Sequence, residues 1–304
     1  MGRTRDALIP CEDVTLAGTL HLPGDAGPYP ALVMLPGSGP EDRDSGGYFP
    51  PLRERFLDTG LAVLSWDKPG VGASTGDWHR QTFFDRANEA IAALAWLRAQ
   101  DEVDASRTGV WGHSQGGWVA QIVAADDPNI SFAIINAGPG VNVLEQDLFG
   151  VEHTLRGASA EDLRQAVTYM DRLHNAAISG MPYDRLRTEV MDPARDTPGF
   201  DYFGDFDADL WAFLVRNLQH PYEPVTALER ITCPVLAIFG ELDTLVPVAT
   251  SVRIFEEALS RAGNRDATIE VFPGADHRVM TGEPSTFADG YLDTMTGWLR
   301  VRIG

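Results

Sequence analysis

The fold is decided at Val110-Trp111-Gly112-His113-Ser114-Gln115-Gly116-Gly117, where a single serine lies between an apolar strand and an apolar helix. Glycines stand two residues before and two residues after Ser114, which is the G-x-S-x-G pattern of a nucleophile elbow. Such a turn strains the backbone at the serine and leaves no room for neighbouring Cβ atoms. The serine hydroxyl is then held at the N-terminus of the helix, where partial positive charge favours a developing oxyanion.

Apolar runs of strand length recur on both sides of this turn. Residues 14–22 alternate as a strand does, and four nearly continuous apolar runs predict buried parallel strands at 31–35, 61–66, 108–111 and 132–136. Apolar residues with helical spacing lie between them, at 83–98 and 115–125. The chain is therefore predicted to form a mostly parallel central sheet with helices on both faces.

The strand–helix rhythm breaks after Gly138-Pro139-Gly140. The next segment has a helical pattern at 160–177 and is loop-rich and aromatic at 193–222, and the rhythm then resumes with strands at 235–239 and 268–272 and helices at 248–261 and 287–301. We therefore predict a core domain of residues 1–140 and 226–304. Residues 141–225 would be a helical and loop-rich cap inserted at the C-terminal edge of the sheet, where open α/β sheets bind ligands.

The composition limits the classes of function. With 304 residues, of which 44% are hydrophobic, the chain suits one large α/β domain with or without an insertion, or two small domains. Its formal net charge of −20 repels phosphate groups and argues against nucleic acid or anionic membranes as partners. Cys11 and Cys233 have no disulfide or zinc spacing, no apolar stretch is long enough to cross a bilayer, and the N-terminus lacks a signal-peptide pattern. These features predict a cytoplasmic protein without a metal.

Candidates for a base and a carboxylate follow later strands. A serine hydroxyl is a poor nucleophile unless a base accepts its proton and a carboxylate orients that base. Asp243 lies in the loop 240–247, and His277 lies in the loop 273–277. Of the seven histidines, His277 alone lies C-terminal to Asp243. Glu241 is the neighbouring alternative for the carboxylate.

Three motifs together make the chain similar to the serine α/β-hydrolases over almost its whole length. They are the elbow around Ser114, Gly-x-x-Asp-x-x-Val-Pro at 240–247 and Gly-x-x-His at 274–277. The resemblance implies an α/β-hydrolase fold, with Ser114 as nucleophile, His277 as general base and then acid, and Asp243 as the orienting carboxylate. It implies no cofactor. Relatives that cleave carbon–halogen bonds or epoxides have Asp in place of Ser114, so both of those activities are disfavoured.

The loop after the strand at 31–35 offers the second half of an oxyanion hole, which needs two backbone N–H groups. One donor is expected from Gln115, the residue after the nucleophile. The resemblance assigns the other to Ser38, with Gly37 or Gly39 as alternatives and as further candidates for contact with substrate. The run Gly-Ser-Gly-Pro-x-Asp-Arg-Asp is similar to one branch of bacterial carboxylesterases and serine-aminopeptidase-like hydrolases.

Three neighbouring features are interpreted as structural. Arg43, between two aspartates, is expected to form an ion pair that pins its loop, and binding of a substrate carboxylate is the alternative. The glycine-rich segment 67–74 lacks the third Gly or Ala of a dinucleotide site, because Thr75 stands there. His113 should point away from the cleft.

Aromatic residues are concentrated in the predicted cap, between 200 and 222. We interpret them as the core of the cap, while the alternative is that some of them, with Phe203 and Trp211 as candidates, line a substrate pocket. The carboxylates among them would favour a free-amine substrate if they faced the cleft, although a solvated acidic face is the simpler interpretation. These carboxylates are Asp201, Asp205, Asp207 and Asp209.

The sequence thus predicts a serine hydrolase that cleaves small-molecule carboxylic esters through an acyl-enzyme intermediate. A short-peptide serine aminopeptidase and a thioesterase or acyltransferase of a biosynthetic pathway are alternatives, because the triad sets acyl transfer and the pocket sets the substrate. A catalytically idle binding protein on the same scaffold is a remote alternative.

Overall fold

An eight-stranded, mostly parallel sheet forms the centre of the computed structural model, which describes residues 2–303. Its strands are β1 (Arg3–Cys11), β2 (Val14–Leu22), β3 (Tyr29–Leu35), β4 (Ala62–Trp66), β5 (Val103–His113), β6 (Phe132–Asn136), β7 (Val235–Gly240) and β8 (Ala267–Phe272). Their order across the sheet is β1-β2-β4-β3-β5-β6-β7-β8. The first two strands form an antiparallel hairpin that pairs antiparallel with β4, and the other neighbours are parallel.

Helices cover both faces of this sheet, as predicted. They are α1 (Phe49–Asp58), α2 (Phe83–Arg98), α3 (Gln115–Asp126), α4 (Val143–Thr154), α5 (Ala160–Ile178), α6 (Tyr183–Leu186), α7 (Asp192–Ala194), α8 (Phe200–Phe203), α9 (Ala208–Gln219), α10 (Pro224–Leu228), α11 (Val248–Arg261) and α12 (Tyr291–Ile303). Among residues 2–303, none of the helices combines the length and apolarity needed to cross a membrane.

The strands alternate between two hydrophobic cores. In β3, Val33 and Leu35 pack into the core that α2, α3 and α11 cover, whereas Leu32 and Met34 pack into the core that α1 and α12 cover. A strand buried on both faces has an almost continuous apolar sequence, which is why the runs at 31–35, 61–66, 108–111 and 132–136 predicted parallel strands correctly.

Residues between β6 and β7 form an insertion of helices α4 to α10. The insertion has hydrophobic clusters of its own, one of them around Leu173, Leu186 and Trp211. It contacts the loop after β4, where the rings of Trp78 and Phe213 lie 5.3 Å apart. The insertion therefore packs beside a loop at the carboxyl edge of the sheet, and its role as a cap stays a prediction.

Three segments differ from the sequence-based expectations. The segment predicted as loop-rich contains α9, a three-turn helix capped by the side chain of Asp207. The last helix begins at Tyr291 instead of residue 287, because Thr286–Phe287 forms strand β10 and pairs with strand β9 (Met280–Thr281). Strand β1 was not predicted. Its exposed positions are mostly polar, but Leu8 is an apolar residue at one of them and obscures the alternation of polar and apolar residues.

Candidate active site

Ser114 lies at a strained turn between β5 and α3, with φ 56° and ψ −121°. The flanking glycines are required by close packing. A Cβ atom on Gly112 would lie 2.1 Å from the carbonyl oxygen of Gly116, and a Cβ on Gly116 would lie 2.3 Å from that of Leu35. The elbow pattern therefore has the backbone geometry that the sequence predicted, and the turn presents a partly exposed serine at the N-terminus of α3.

Asp243 and His277 form a hydrogen-bonded pair in the loops after β7 and β8. His277 Nδ1 lies 2.7 Å from Oδ2 of Asp243, whose side chain is fully buried. The other carboxylate oxygen, Oδ1, accepts hydrogen bonds from the backbone N–H groups of Leu245 at 2.8 Å and Val246 at 2.9 Å. The alternative carboxylate, Glu241, is exposed and instead accepts a hydrogen bond from the backbone of the loop after β8.

The pairing defines the tautomer of His277. An ionised carboxylate only accepts hydrogen bonds, so the ring proton lies on Nδ1 and Nε2 is left to accept a proton. The ring of His277 lies 4.9 Å from that of His113, the neighbour of Ser114. Within the described chain, the side-chain hydrogen bond of His277 is to Asp243 and none joins it to Ser114. Such catalytic contacts commonly tighten only when substrate binds.

Two backbone N–H groups near Ser114 have no hydrogen-bond partner among the described residues. The loop after β3 comes close to the serine, because a Cβ on Gly37 would lie 3.5 Å from Ser114 Cβ. Neither the N–H of Ser38 nor that of Gln115 donates a hydrogen bond to another residue in the range 2–303. These are the two amides that the sequence assigned to an oxyanion hole, and both are available to a ligand.

Lys68 lies buried behind the loop after β3. Its Nζ donates hydrogen bonds to the carbonyl oxygens of Gly37 at 2.5 Å and Gly39 at 2.7 Å, and its backbone N–H donates to the carbonyl of Glu41. Burial, reinforced by the neighbouring positive charge of Arg86, holds the pKa of Lys68 well below its ordinary value.

Arg86 is a second buried cation and joins the two halves of the site. Its Nη2 donates to the carbonyl oxygen of Pro36 at 3.1 Å, and its Nη1 donates to Oε1 of Gln115. Burial lowers the pKa of Arg86 to about 10.

Glu89, one turn along α2, receives a hydrogen bond from Gln81, and burial raises the pKa of Glu89 to about 7.

Arg43 pins its loop as expected, but its partner is not a neighbour in sequence. The guanidinium makes two hydrogen bonds to the carboxylate of Asp67, from Nε at 3.0 Å and Nη2 at 2.7 Å. The backbone N–H of Arg43 and that of Ala73 bind the same carboxylate. Arg43 is thereby engaged with Asp67, which supports the structural interpretation, and the glycine-rich segment 67–74 wraps the Asp67 side chain.

A polar network lies behind His277. His113 is buried and its Nδ1 accepts a hydrogen bond from Asn136 at 3.1 Å, so it is structural, although its ring packs against His277. Burial and the nearby His277 hold the pKa of His113 well below its ordinary value. A neutral His113 does not repel the imidazolium that would form at His277. Tyr48, also bonded to Asn136, donates to the carbonyl of Arg278 and anchors the loop that carries His277.

The two aromatic candidates for a substrate pocket pack inside the insertion. Trp211 is 3% exposed, and its indole N–H donates to the carbonyl of Met181 at 2.7 Å. The ring contacts of Phe203 are with Tyr169, His174 and Tyr202, which also belong to the insertion. These contacts support the packing interpretation, and contact with substrate stays a prediction for both residues.

The acidic residues near these aromatic rings are all exposed to solvent: Asp201, Asp205, Asp207 and Asp209. Asp205 pairs with Arg195, and Asp207 caps α9. The solvated acidic face is therefore the interpretation that burial favours. Elsewhere in residues 2–303, no group of three or more His, Cys, Asp or Glu side chains is arranged to hold a metal ion.

Sequence reasoning missed Lys68, Arg86, Tyr48 and Asn136. A signal existed for Arg86, because it stands with Glu89 on the otherwise apolar face of the helix at 83–98. Lys68 had a weaker signal, as the second residue after a fully buried strand. Nothing in the sequence connects Tyr48 to His277, which is far away along the chain.

A strained serine after the central strand and an Asp–His pair on later strand ends occur together in one large class of enzymes. The chain is a serine hydrolase of the α/β-hydrolase fold. The family model described as serine aminopeptidase, S33, matches residues 42–285, and the chain therefore belongs to that family.

Individual relatives point to ester substrates. The chain is 25% identical to a monoacylglycerol lipase of Mycolicibacterium smegmatis over 90% of this chain and 89% of the lipase. It is 24% identical to esterase EstD of Thermotoga maritima over 92% of this chain, but spans only 63% of EstD. An esterase from Pyrococcus furiosus superposes with a TM-score of 0.66 at 20% identity, covering 99% of this chain and 92% of the esterase, which supports the fold alone.

Proposed function

We propose that this protein hydrolyses carboxylic esters of small molecules, with Ser114, His277 and Asp243 as its catalytic triad. The observation that carries the proposal is the 2.7 Å bond between His277 and the fully buried Asp243, in the loops next to the elbow. Ester cleavage is favoured because relatives that match most of this chain are named as a monoacylglycerol lipase and an esterase.

The proposed reaction has two steps. Ser114 Oγ attacks the ester carbonyl carbon while His277 Nε2 takes the hydroxyl proton, and the carbonyl oxygen becomes an oxyanion held by the amides of Gln115 and Ser38. The intermediate collapses as His277 returns its proton to the leaving alcohol. Water then attacks the acyl-enzyme with the same base, which releases the acid and restores Ser114. Asp243 stabilises the imidazolium in both steps and keeps its own charge.

The remaining parts of the site fit the same proposal. The insertion at 141–225 acts as a cap that shapes the substrate pocket, with Gly37 and Gly39 at its floor. A peptidase that selects a free amine has less support, because the carboxylates at 201–209 point to solvent. A thioesterase, an acyltransferase and an idle binding protein are not favoured over an esterase, because the relatives that match most of this chain are named as a lipase and an esterase. We also propose a cytoplasmic location, as predicted from the sequence. The charge of −20 leads us to expect no nucleic-acid partner.

Replacement of the nucleophile tests the proposal directly. Ser114→Ala should lower kcat for p-nitrophenyl butyrate by at least about 10⁴-fold, because no other group would attack the carbonyl. Ser260→Ala, which removes an exposed hydroxyl on α11, is the matched control and should keep wild-type kcat. A fluorophosphonate probe should label the wild type at Ser114 only. Esterase activity that survives in Ser114→Ala would refute the proposal.

A panel of substrates then separates the alternatives within the class. We expect the highest kcat/KM for short-chain nitrophenyl and glyceryl esters, and lower values for acyl thioesters and aminoacyl anilides. A kcat/KM for the anilides above that for the esters would instead favour the aminopeptidase.

A further inference from the structure

Two buried cations point at the loop that carries one of the proposed oxyanion donors. Lys68 is 2% exposed and Arg86 is 5% exposed, and neither makes a direct ion pair with a carboxylate in the described part of the chain. Burying a cation without a paired carboxylate is unfavourable unless its N–H groups are fully used. Here both cations donate to backbone carbonyls of the loop after β3, and Arg86 also donates to the side chain of Gln115. The loop after β3 is therefore the feature that the two cations share.

The carbonyl that Lys68 binds belongs to the same peptide group as the Ser38 N–H. The Gly37–Ser38 peptide bond is trans. The two cis peptide bonds of the described chain both precede a proline elsewhere. In a trans peptide the C=O and the N–H point in opposite directions from one rigid plane. When Lys68 Nζ holds the Gly37 oxygen, the Ser38 N–H must point away from Lys68, and Gly37 itself lies beside Ser114.

The second bond of Lys68 fixes the other end of the same short turn. Nζ also holds the carbonyl of Gly39, so the peptide group before Ser38 and the peptide group after Gly39 are attached to one atom. Without that attachment, the Gly37–Ser38 plane would rotate easily, because glycine restricts its backbone angles little. A hydrogen bond to the carbonyl also polarises the peptide and strengthens its N–H as a donor.

We propose that Lys68 is a positioning residue for the oxyanion hole, which sets the orientation of the Ser38 N–H by binding the carbonyls of Gly37 and Gly39. Arg86 supports the same arrangement by joining Pro36 to the side chain of Gln115, the other proposed donor. The inference rests on the proposed ester hydrolysis at Ser114. It does not need Lys68 to be charged, since a neutral amine still has two N–H groups for two carbonyls.

Lys68→Met tests this role, because methionine keeps an unbranched stem but has no donor. We expect kcat to fall about 100-fold, as for loss of one oxyanion donor, while KM for a nitrophenyl ester stays within about threefold. The Ki of an aryl trifluoromethyl ketone, whose tetrahedral adduct places an oxyanion in the hole, should rise by the same factor as kcat falls. A purely structural role for Lys68 would not make these two changes match.

Arg43→Met is the matched control, because Arg43 is also a cation that pins this loop. Its guanidinium donates to Asp67 and Thr19 and not to the carbonyl of Gly37. We expect a lower melting temperature for Arg43→Met, with kcat and the ketone Ki within about twofold of wild type. An equal loss of kcat in both variants would overturn the inference, since it would mean that general loosening of the loop is enough.

The outcomes separate this inference from the proposed function. If Ser114→Ala is inactive but Lys68→Met keeps wild-type kcat and ketone Ki, the role of Lys68 is refuted and the triad stands. If Ser114→Ala is active, both the proposed function and the role of Lys68 are refuted. If Lys68→Met does not fold, Lys68→Gln decides, because its shorter amide reaches only one carbonyl. We expect matched changes of at least about tenfold in kcat and Ki for Lys68→Gln, and unchanged values would refute the role.

Discussion

Asp243→Asn should disable the active site by forcing the wrong tautomer on His277. The structure determines how the new amide must lie. Oδ1 of Asp243 accepts hydrogen bonds from the backbone N–H groups of Leu245 and Val246, so the asparagine oxygen must occupy that position. The NH₂ group then takes the place of Oδ2 and faces Nδ1 of His277. Because an NH₂ group only donates, the ring must carry its proton on Nε2, where it cannot accept one from Ser114.

The size of the effect follows from the cost of avoiding this arrangement. Turning the amide over would place its NH₂ group against two backbone N–H groups, at about 1–3 kcal/mol for each buried group left unpaired. The wrong tautomer therefore dominates. We expect kcat to fall about 10⁴-fold, which corresponds to about 5 kcal/mol in activation free energy, with KM nearly unchanged.

Steady-state hydrolysis of p-nitrophenyl butyrate measures this change, and the melting temperature checks that the variant is folded. Glu241→Gln is the matched control, because it makes the same chemical change two residues away at an exposed carboxylate. We expect its kcat within about threefold of wild type. If folded Asp243→Asn kept kcat within tenfold of wild type, or if Glu241→Gln were the inactive variant, the proposed role of Asp243 would be wrong.

Two further predictions concern buried groups around the site. Burial raises the pKa of Glu89 from 4.5 to about 7, so the folded state binds its proton more tightly than the unfolded state does. The unfolding free energy of the wild type, compared with that of Glu89→Gln, should therefore fall by about 3 kcal/mol as the pH rises from 4.5 through about 7. Urea titrations at several pH values measure this difference, and a difference that does not change with pH would contradict the prediction. Trp211→Phe should cost about 1–3 kcal/mol of stability, because the carbonyl of Met181 loses its indole partner, and should leave KM for short esters within about twofold. A large change in KM at constant stability would instead place Trp211 at the substrate.

The parallel core of the fold could be predicted because its strands are buried on both faces. Continuous apolar runs such as 132–136 indicate buried parallel strands when helical patterns lie between them. The candidate triad followed from the same regularity. Parallel strands end at one edge of the sheet, so loops after β7 and β8 were expected to come together, and Asp243 and His277 are the polar residues that meet there.

Contacts that depend on long-range packing could not be predicted. Arg43 was expected to pair with an adjacent aspartate, yet it binds Asp67. The two residues meet because strands β3 and β4 are neighbours in the sheet, and the local sequence does not specify the order of the strands. Helix α9 was missed for a different reason. Trp211 packs in the insertion's own core, whereas Phe213 packs against Trp78 of the core domain. The segment was predicted as loop-rich, although the spacing of Trp211, Leu214 and Leu218 is helical.

The proposed chemistry and the proposed choice of substrate lie in different parts of the chain, and one of the contacts between these parts leads to the site. Every group assigned to bond making, including Ser38 and Gln115, lies outside the insertion. In this contact Asn217 of α9 donates to the backbone carbonyl of Gln81 at 3.0 Å. The Gln81 side chain donates a hydrogen bond to Glu89, whose charge acts on the nearby Arg86. Arg86 in turn holds both Pro36 and Gln115, next to the two proposed oxyanion donors. Substitutions in α9 should therefore be assayed for kcat as well as KM, because the proposed pocket wall and the proposed oxyanion hole share this support.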